Sequence, residues 1–193
     1  MTKDNILNSA LQLYATEGYH GASMAKIAKG AGIKAASIYF FFKNKEALFQ
    51  ELFQHVLMEH FAYVRRSMEH VLKSGEDVET MIRTLFSTVS DYHRRHAAET
   101  RAYIALVTAP PIMAQPILKN HMQSFDQWLT STLALILKEE CLSTQEYETI
   151  SELIVLQMDG LFWELNFYDD EKIKKQTDVA IHFILFYLKQ LQD

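Results

Sequence analysis

The sequence predicts an all-α protein of about nine helices. An N-terminal three-helix helix-turn-helix domain is expected to be joined by a long fourth helix to a larger helical C-terminal domain. Apolar residues recur at helical spacing along the chain, and six glycines and three prolines in 193 residues favour long helices. No alternating apolar pattern predicts a strand, and 49% hydrophobic against 22% charged residues indicates a globular chain.

The helix-turn-helix is predicted between residues 23 and 45. Two short helices are expected over Ser23–Lys29 and Lys34–Phe41, with Gly30 and Gly32 at the bend between them. A residue that tolerates positive φ ends one helix and allows the next to begin. In this motif the second helix enters the major groove of DNA.

The remaining helices follow from apolar periodicity and helix stop signals. Apolar residues from Ile6 to Tyr14 predict a first helix that stops at Gly18. The later helices are predicted over residues 45–73, 77–95, 100–108, 117–140, 144–167 and 171–190. Asn44 and Ser143 are expected as N-caps, the latter in a capping box with Glu146. The predicted domains are residues 1–46 and 47–193.

Charge is distributed unevenly. The net charge of the chain is −5, yet residues 1–50 carry six lysines against three carboxylates, a net of +3 that leaves −8 for the rest. A basic head on an acidic body is typical of a DNA-binding domain attached to a domain with another role.

Composition excludes several other classes of protein. Cys141 is the single cysteine, which excludes an intramolecular disulfide framework and a multi-cysteine metal site, as expected in a reducing cytoplasm. No signal peptide or membrane-spanning stretch is predicted. His93 and His96 share a helix face, but Arg94 and Arg95 between them favour a solvated helix end over a metal site. No cofactor is expected.

Residues 6–52 resemble the N-terminal domain of the TetR (tetracycline repressor) family. The matching residues are Gly18-Tyr19, Ser23-x-x-x-Ile27-Ala28-x-x-Ala31-Gly32-Ile33 and Ser37-Ile38-Tyr39-x-x-Phe42-Lys43-Asn44-Lys45-Glu46-x-Leu48. The resemblance covers about a quarter of the chain. Two positions depart from the family pattern: Lys34 replaces the usual Ser or Thr cap of the recognition helix, and Phe41 replaces a His or Tyr.

The resemblance implies a dimeric, ligand-responsive repressor of transcription that is not an enzyme. It implies a dimer through the last two helices, a palindromic double-stranded DNA operator, and a body that encloses a pocket for a small apolar or aromatic effector. The last helix supports this independently, because residues 179–188 are apolar almost all round and only His182 interrupts them. Such a helix is expected to be buried on all sides, as at a subunit interface.

The resemblance also implies the roles of individual residues. Ser23 and Lys45 match phosphate contacts, and Lys34 is in reach of a phosphate or a guanine. The residues expected at the DNA are Ser23, Lys34, Ala35, Ala36, Ser37, Tyr39, Phe40 and Lys45. Phe40 and Phe41 stand as candidates for stacking on bases, although a run of phenylalanines at a helix end is more often core, as expected for Phe42.

Aromatic residues and methionine of the body are the candidate effector site. The predicted lining is Tyr63, Phe86, Tyr103, Met122, Phe125, Trp128, Phe162 and Trp163. Packing in a helical core is an equally good interpretation of any one of them. Two alternatives remain open: a DNA-binding regulator controlled by a protein partner with no small-molecule pocket, and an enzyme, for which the sequence offers no catalytic constellation.

Overall fold

The computed structural model describes residues 2–137 and 142–192, and all regular secondary structure in these ranges is helical. The eight α-helices there are α1 Thr2–Gly21, α2 Met24–Gly30, α3 Lys45–Ser74, α4 Val78–Arg95, α5 Ala97–Thr108, α6 Gln115–Ile136, α7 Thr144–Glu164 and α8 Asp170–Gln192. Short 3-10 helices cover Ser37–Phe40 and Ile112–Ala114. The predicted all-α class is confirmed.

Side chains cap several helices as the sequence indicates. Asn44 Oδ1 accepts a hydrogen bond from the Ala47 N–H at 2.8 Å at the start of α3. Before α7, Ser143 Oγ accepts from the Glu146 N–H at 3.3 Å, and Glu146 Oε2 accepts from the Ser143 N–H at 2.7 Å. This is the predicted capping box, which satisfies backbone donors that a helix start leaves free.

Some helix ends differ from the prediction. The assigned helix α1 continues to Gly21, but Gly18 interrupts it with φ 67° and ψ −176°, so the predicted stop is a kink. Helix α7 ends at Glu164 and not at Phe167, and the side-chain amide of Asn166 donates to the Trp163 carbonyl at 3.4 Å. Such local bonds compete with the helical ladder. The predicted end of the seventh helix at Glu140 lies outside the described residues.

The chain divides into two compact units. The first comprises the chain up to His60 together with Arg95–His121. Its core gathers side chains from α1, α2, the 3-10 helix at Ser37–Phe40, the first half of α3, and α5, among them Ile6, Leu11, Ile27, Ile38, Leu48, Phe49, Phe53 and Leu106. The helix-turn-helix therefore shares one core with α1, α3 and α5.

The second unit comprises Phe61–Arg94 and the described residues from Met122 onward. Its core gathers side chains from the second half of α3 and from α4, α6, α7 and α8, among them Met68, Ile82, Phe86, Leu129, Leu133, Ile154 and Ile184. Helix α3 contributes to both units. The functional division predicted after Glu46 remains a proposal, since the compact units are defined by packing alone.

Candidate nucleic-acid interface

Ser23 begins helix α2 as its N-cap. Its backbone is extended, with φ −96° and ψ 153°, and its Oγ accepts a hydrogen bond from the Lys26 N–H at 3.2 Å. The side chain is exposed. An exposed hydroxyl beside the N–H groups of a helix start is suited to an anion, so this geometry is compatible with the predicted phosphate contact.

The two glycines at the bend have different reasons to be glycine. Gly32 has φ +71°, a conformation that side chains rarely adopt. Gly30 is the last residue of α2, and a Cβ built on it would lie 2.2 Å from Ser9 Oγ of α1. Ser9 Oγ donates to the Ile27 carbonyl at 2.9 Å. Gly32 therefore makes the turn, whereas Gly30 allows α1 and α2 to approach closely.

The recognition segment, residues 34–41, is not the α-helix that the sequence predicts. Its helical part is a single 3-10 turn from Ser37 to Phe40, in which the Ser37 N–H donates to the Lys34 carbonyl at 2.9 Å. No side chain caps its start. Its N-cap residue is Ala36, and the turn before it begins at Lys34; neither side chain can accept from a backbone N–H. Ile38 and the aromatic residues after it also lower helix propensity, which explains the shorter element.

The recognition segment presents its side chains to solvent. Tyr39 is 57% exposed, Phe40 88% and Phe41 42%, whereas Ile38 and Phe42 are buried. Of the other residues expected at DNA, Lys34, Ala35 and Ala36 are exposed and Ser37 is half-buried. Burial of Phe42 confirms its predicted core position. An exposed surface that holds three aromatic rings is unusual for a protein in solution and marks an interaction site.

Lys45 is the first residue of helix α3, and its side chain lies over the ring of Tyr19. Its Nζ lies 4.3 Å from the centroid of the Tyr19 ring and 5.8 Å from that of Phe49. The Tyr19 and Phe49 rings contact each other edge to face with centroids 5.0 Å apart. Burial lowers the pKa of Lys45. The ammonium group is thus held at a defined place by a cation–π contact and still has N–H donors for a phosphate.

The sequence prediction missed Tyr19 as part of this site. In the sequence, Tyr19 stands out only as part of the Gly18-Tyr19 match to the family pattern. The structure brings its ring to Lys45, which is 26 positions later in the sequence. No local pattern signals such a contact, because it depends on how the kink at Gly18 directs the end of α1.

The residues predicted to line an effector pocket have varied environments. Phe86, Phe125 and Phe162 are buried, Tyr63, Tyr103 and Trp128 are half-buried, and Met122 and Trp163 are 41% and 40% exposed. Within the second unit, the Trp128 ring lies 5.5 Å from the Phe125 ring, and the Phe162 ring lies 4.5 Å from that of His93. Tyr63 lines a cavity of about 450 Å³. The predicted lining remains a prediction.

His93, one of the two histidines weighed as metal ligands, packs among aromatic rings. The His93 ring is buried and contacts the rings of Tyr92 and Phe162. Across residues 2–137 and 142–192, no group of three or more His, Cys, Asp or Glu side chains is arranged to hold a metal ion.

Helices α7 and α8 carry exposed apolar side chains. On α7 and just after it these are Leu156, Trp163 and Phe167, and on α8 they are Val179, Phe183 and Phe186. Leu156 and Trp163 are seven residues apart on α7, and Val179, Phe183 and Phe186 are four and three apart on α8, so they form one stripe on each helix. We call these two stripes the apolar faces of α7 and α8. The prediction that α8 is buried on all sides does not hold within one chain, because Ile181 and Ile184 are buried whereas Phe183 is half exposed.

The fold and this site define a helix-turn-helix, DNA-binding transcriptional regulator. Residues 6–52 match the family model described as bacterial regulatory proteins, tetR family. A relative in Staphylococcus aureus (strain Newman), named biofilm operon icaADBC HTH-type negative transcriptional regulator IcaR, is 25% identical over 97% of this chain and 100% of its own. The Staphylococcus epidermidis regulator of that name is 27% identical over 68% of this chain and 66% of its own.

Solved structures show the same fold. A putative tetR family transcription regulator from Shewanella sp. PV-4 superposes with a TM-score of 0.74 at 19% identity, covering 95% of this chain and 96% of that one. The regulator FadR from Bacillus subtilis, solved in complex with stearoyl-CoA, gives 0.68 at 21% identity, covering 94% and 96%. The tetR family model thus matches the helix-turn-helix part of the chain, and the described helices share the fold of these solved regulators. None of the helices in the described part of the chain is long and apolar enough to cross a bilayer.

Proposed function

We propose that this chain is a homodimeric repressor that binds a palindromic operator in the bacterial cytoplasm and is released by a small apolar or aromatic effector. The observation that carries the proposal is the exposed recognition segment, flanked by Ser23 and Lys45 on a basic head. Phosphate contacts from Ser23 and Lys45 would fix the register on DNA. Contacts from Lys34, Ala35, Ala36, Ser37, Tyr39 and Phe40 would read base edges.

The apolar faces of α7 and α8 support a dimer through the last two helices. Phe183 and Phe186 are 50% and 56% exposed, and Val179 is 65% exposed, so their apolar area is left in water by a single chain. Pairing with a second copy would remove it, which is favourable by about 25 cal/mol per Å² of apolar surface. Two-fold symmetry would then give two recognition segments and a palindromic operator.

The relatives support repression and an apolar effector. The staphylococcal relatives are named negative transcriptional regulators, and the Bacillus subtilis structure holds stearoyl-CoA. The same fold therefore accommodates an apolar chain in another protein. In this chain, the predicted lining on α4, α6 and α7 is rich in aromatic side chains that would contact an apolar or aromatic molecule.

Control by a protein partner, with no small-molecule pocket, is the alternative. The burial of Phe86 and Phe125 in the core of the second unit favours it, because side chains that already fill a core leave less room for a ligand.

The test is release from DNA. Protein is bound to a labelled fragment of its own upstream region, and fluorescence anisotropy is followed while fatty acids, acyl-CoA esters and aromatic acids are added singly. The proposal expects sequence-specific binding and at least one compound that dissociates DNA and raises the melting temperature of the free protein. Specific binding that no compound affects would favour the protein-partner alternative, and failure to bind any upstream fragment would contradict the regulator itself.

A further inference from the structure

A cavity of about 830 Å³ lies in the first compact unit, beside the end of α1. It is bounded by the tail of α1, the start of α3, the end of α5 and the segment that follows α5. Its lining is Tyr14, Glu17, Gly18, Tyr19, His20, Glu46, Ala105, Ala109, Pro110, Pro111, Ile112 and Met113. The volume is in the range of small-molecule sites, roughly 300–1,000 Å³. None of the residues predicted to bind the effector lines it.

The backbone keeps this cavity open. Gly18 has φ +67°, and a Cβ built on it meets no atom within 4 Å, so the chain turns here beside open space. Pro110 and Pro111, which also line the cavity, restrict the backbone after α5. Ile112 follows them with 87% of its surface exposed. A large aliphatic side chain at the rim of a cavity favours an apolar ligand, because the bound ligand would cover its apolar surface and remove that surface from water.

The carboxylate of Glu46 is the group of the cavity that can attract a positive charge, because that of Glu17 is already paired with Lys26. Glu17 and Glu46 contribute carboxylates, and none of the described lining residues is a lysine or an arginine. Glu17 is paired with Lys26 at 2.5 Å. Tyr19 and Glu46 both line the cavity, and the pKa of Tyr19 is raised by burial and by the charge of Glu46. Burial raises the pKa of Tyr14 to about 12, which keeps its hydroxyl neutral.

The Tyr19 ring already accepts an ammonium group. Lys45 Nζ lies 4.3 Å from its centroid, within the distance of a cation–π contact. The ring therefore has an orientation in which a cation reaches its face. A cation bound in the cavity near Tyr19 and Glu46 would meet Lys45 as a like charge and would compete for the same ring.

We propose that this cavity is a second ligand site, which binds a small hydrophobic ammonium compound with its cation at Tyr19 and Glu46 and its apolar part on Pro110, Pro111 and Ile112. Occupation of the site displaces Lys45 from the Tyr19 ring. This effect on DNA binding rests on the proposed phosphate contact of Lys45, whereas ligand binding itself does not.

The site is tested first without DNA. Phenyltrimethylammonium and its uncharged carbon analogue tert-butylbenzene are titrated into the full chain while the amide NMR signals of Gly18, Ala109, Ile112 and Met113 are followed. We expect the cation to shift these signals and to bind at least roughly fivefold more tightly than the analogue. Equal affinity of the two compounds, or shifts confined to other residues, would overturn the proposal.

Variants locate the cation. Glu46→Gln and Tyr19→Leu are each expected to weaken binding of phenyltrimethylammonium roughly fivefold, and Tyr19→Phe, which keeps the ring, by less than twofold. Glu59→Gln, an exposed glutamate on the same helix as Glu46, is the matched control and leaves the affinity unchanged. If Tyr19→Leu fails to fold, Glu46→Gln decides the question alone, and unchanged binding to it overturns the assignment.

The effect on DNA is tested separately. Saturating phenyltrimethylammonium is expected to weaken operator binding roughly tenfold in the native chain, and not in Lys45→Ala. Loss of the NMR shifts would reject the site while the regulator stands. Intact shifts with unchanged DNA affinity would reject the displacement of Lys45, and absence of specific DNA binding would reject the proposed function while the site stands.

Discussion

The ammonium group of Lys45 lies 4.3 Å from the centre of the Tyr19 ring, so the first residue of α3 is held by the last turn of α1. The two residues lie on either side of the helix-turn-helix in the sequence. Tyr19 in turn rests edge to face on Phe49, in the core that also buries Ile27 and Ile38. The position of the proposed phosphate contact is therefore fixed by the same core that orients the recognition segment.

Lys45→Gln tests the proposed phosphate contact. Loss of one phosphate contact is expected to weaken binding to specific and to non-specific DNA by a similar factor. It is also expected to reduce the magnitude of the slope of log K against log salt concentration by about one. Salt-dependent anisotropy measures both quantities. Lys119→Gln, which removes an exposed lysine of α6, is the control and leaves the slope unchanged. A slope equal to that of the native chain would exclude Lys45 from the contacts.

Lys34→Thr distinguishes two effects of Lys34: the absence of a capping hydroxyl at the start of the recognition segment, and the positive charge of the lysine. A hydroxyl at this position is expected to cap the turn and to stabilise the fold by about 1 kcal/mol, while loss of the lysine charge weakens DNA binding. Lys34→Ala removes the charge without supplying a cap, so it is expected to weaken DNA binding with no gain in stability. Urea unfolding and DNA titration of the two variants give the comparison, and equal stability of both would contradict the account of the missing cap.

The sequence predicted the elements that depend on neighbouring residues. The caps at Asn44 and Ser143 need only the residues that follow them, and the structure contains both. The recognition segment was predicted as an α-helix because its spacing fits one, but capping and aromatic crowding decide its type. The contact of Tyr19 with Lys45 depends on the direction of the chain after Gly18, which no local pattern specifies.

The residues predicted to line an effector pocket also depend on contacts that the sequence does not specify. The sequence left open whether the aromatic residues of the body line a pocket or fill a core, and Phe86 and Phe125 are buried in the core of the second unit. Periodicity does not tell a side chain that fills a core from one that lines a cavity. Trp163, by contrast, is 40% exposed on the apolar face of α7. Helical periodicity shows that a residue lies on an apolar face, but it does not show whether the same chain covers that face.

Phe183→Glu tests the dimer. A charge on the apolar face of α8 is expected to dissociate the dimer, since a buried carboxylate without a partner is strongly unfavourable. Sedimentation velocity is expected to show a dimer for the native chain and a monomer for the variant. Lys174→Glu changes an exposed residue outside that face and is expected to remain dimeric. A native chain that sediments as a monomer at micromolar concentration would contradict the proposed homodimer.

Asp159 and Asp126 give a pH dependence of stability. Both residues are exposed, but partial burial of their carboxyl groups raises the pKa of each. The charge of Asp126 raises the pKa of Asp159 further, and the charge of Glu152 raises that of Asp126. The folded chain therefore holds protons more tightly than the unfolded chain at these groups, and stability falls as the pH rises above the ordinary range of an aspartate. Asp159→Asn is expected to raise the melting temperature at pH 7, and the gain disappears near pH 3.

A double-mutant cycle controls this prediction. Asp126→Asn alone is expected to stabilise as well, and the double variant gains less than the sum of the two, because each change relieves repulsion on the other. Thermal unfolding from pH 3 to pH 8 measures all four proteins. Gains that are strictly additive, or that do not depend on pH, would show that these carboxylates do not repel each other.

The most direct test of the central claim is the specificity ratio of Tyr39→Ala. Affinity for the native upstream fragment and for a scrambled fragment of equal length is measured for the native chain and the variant at several salt concentrations. Tyr39 is 57% exposed on the recognition segment, so its removal is expected to reduce the ratio roughly tenfold with little change in the salt slope. A native chain that binds both fragments equally, or a variant with an unchanged ratio, would contradict sequence-specific recognition by this segment.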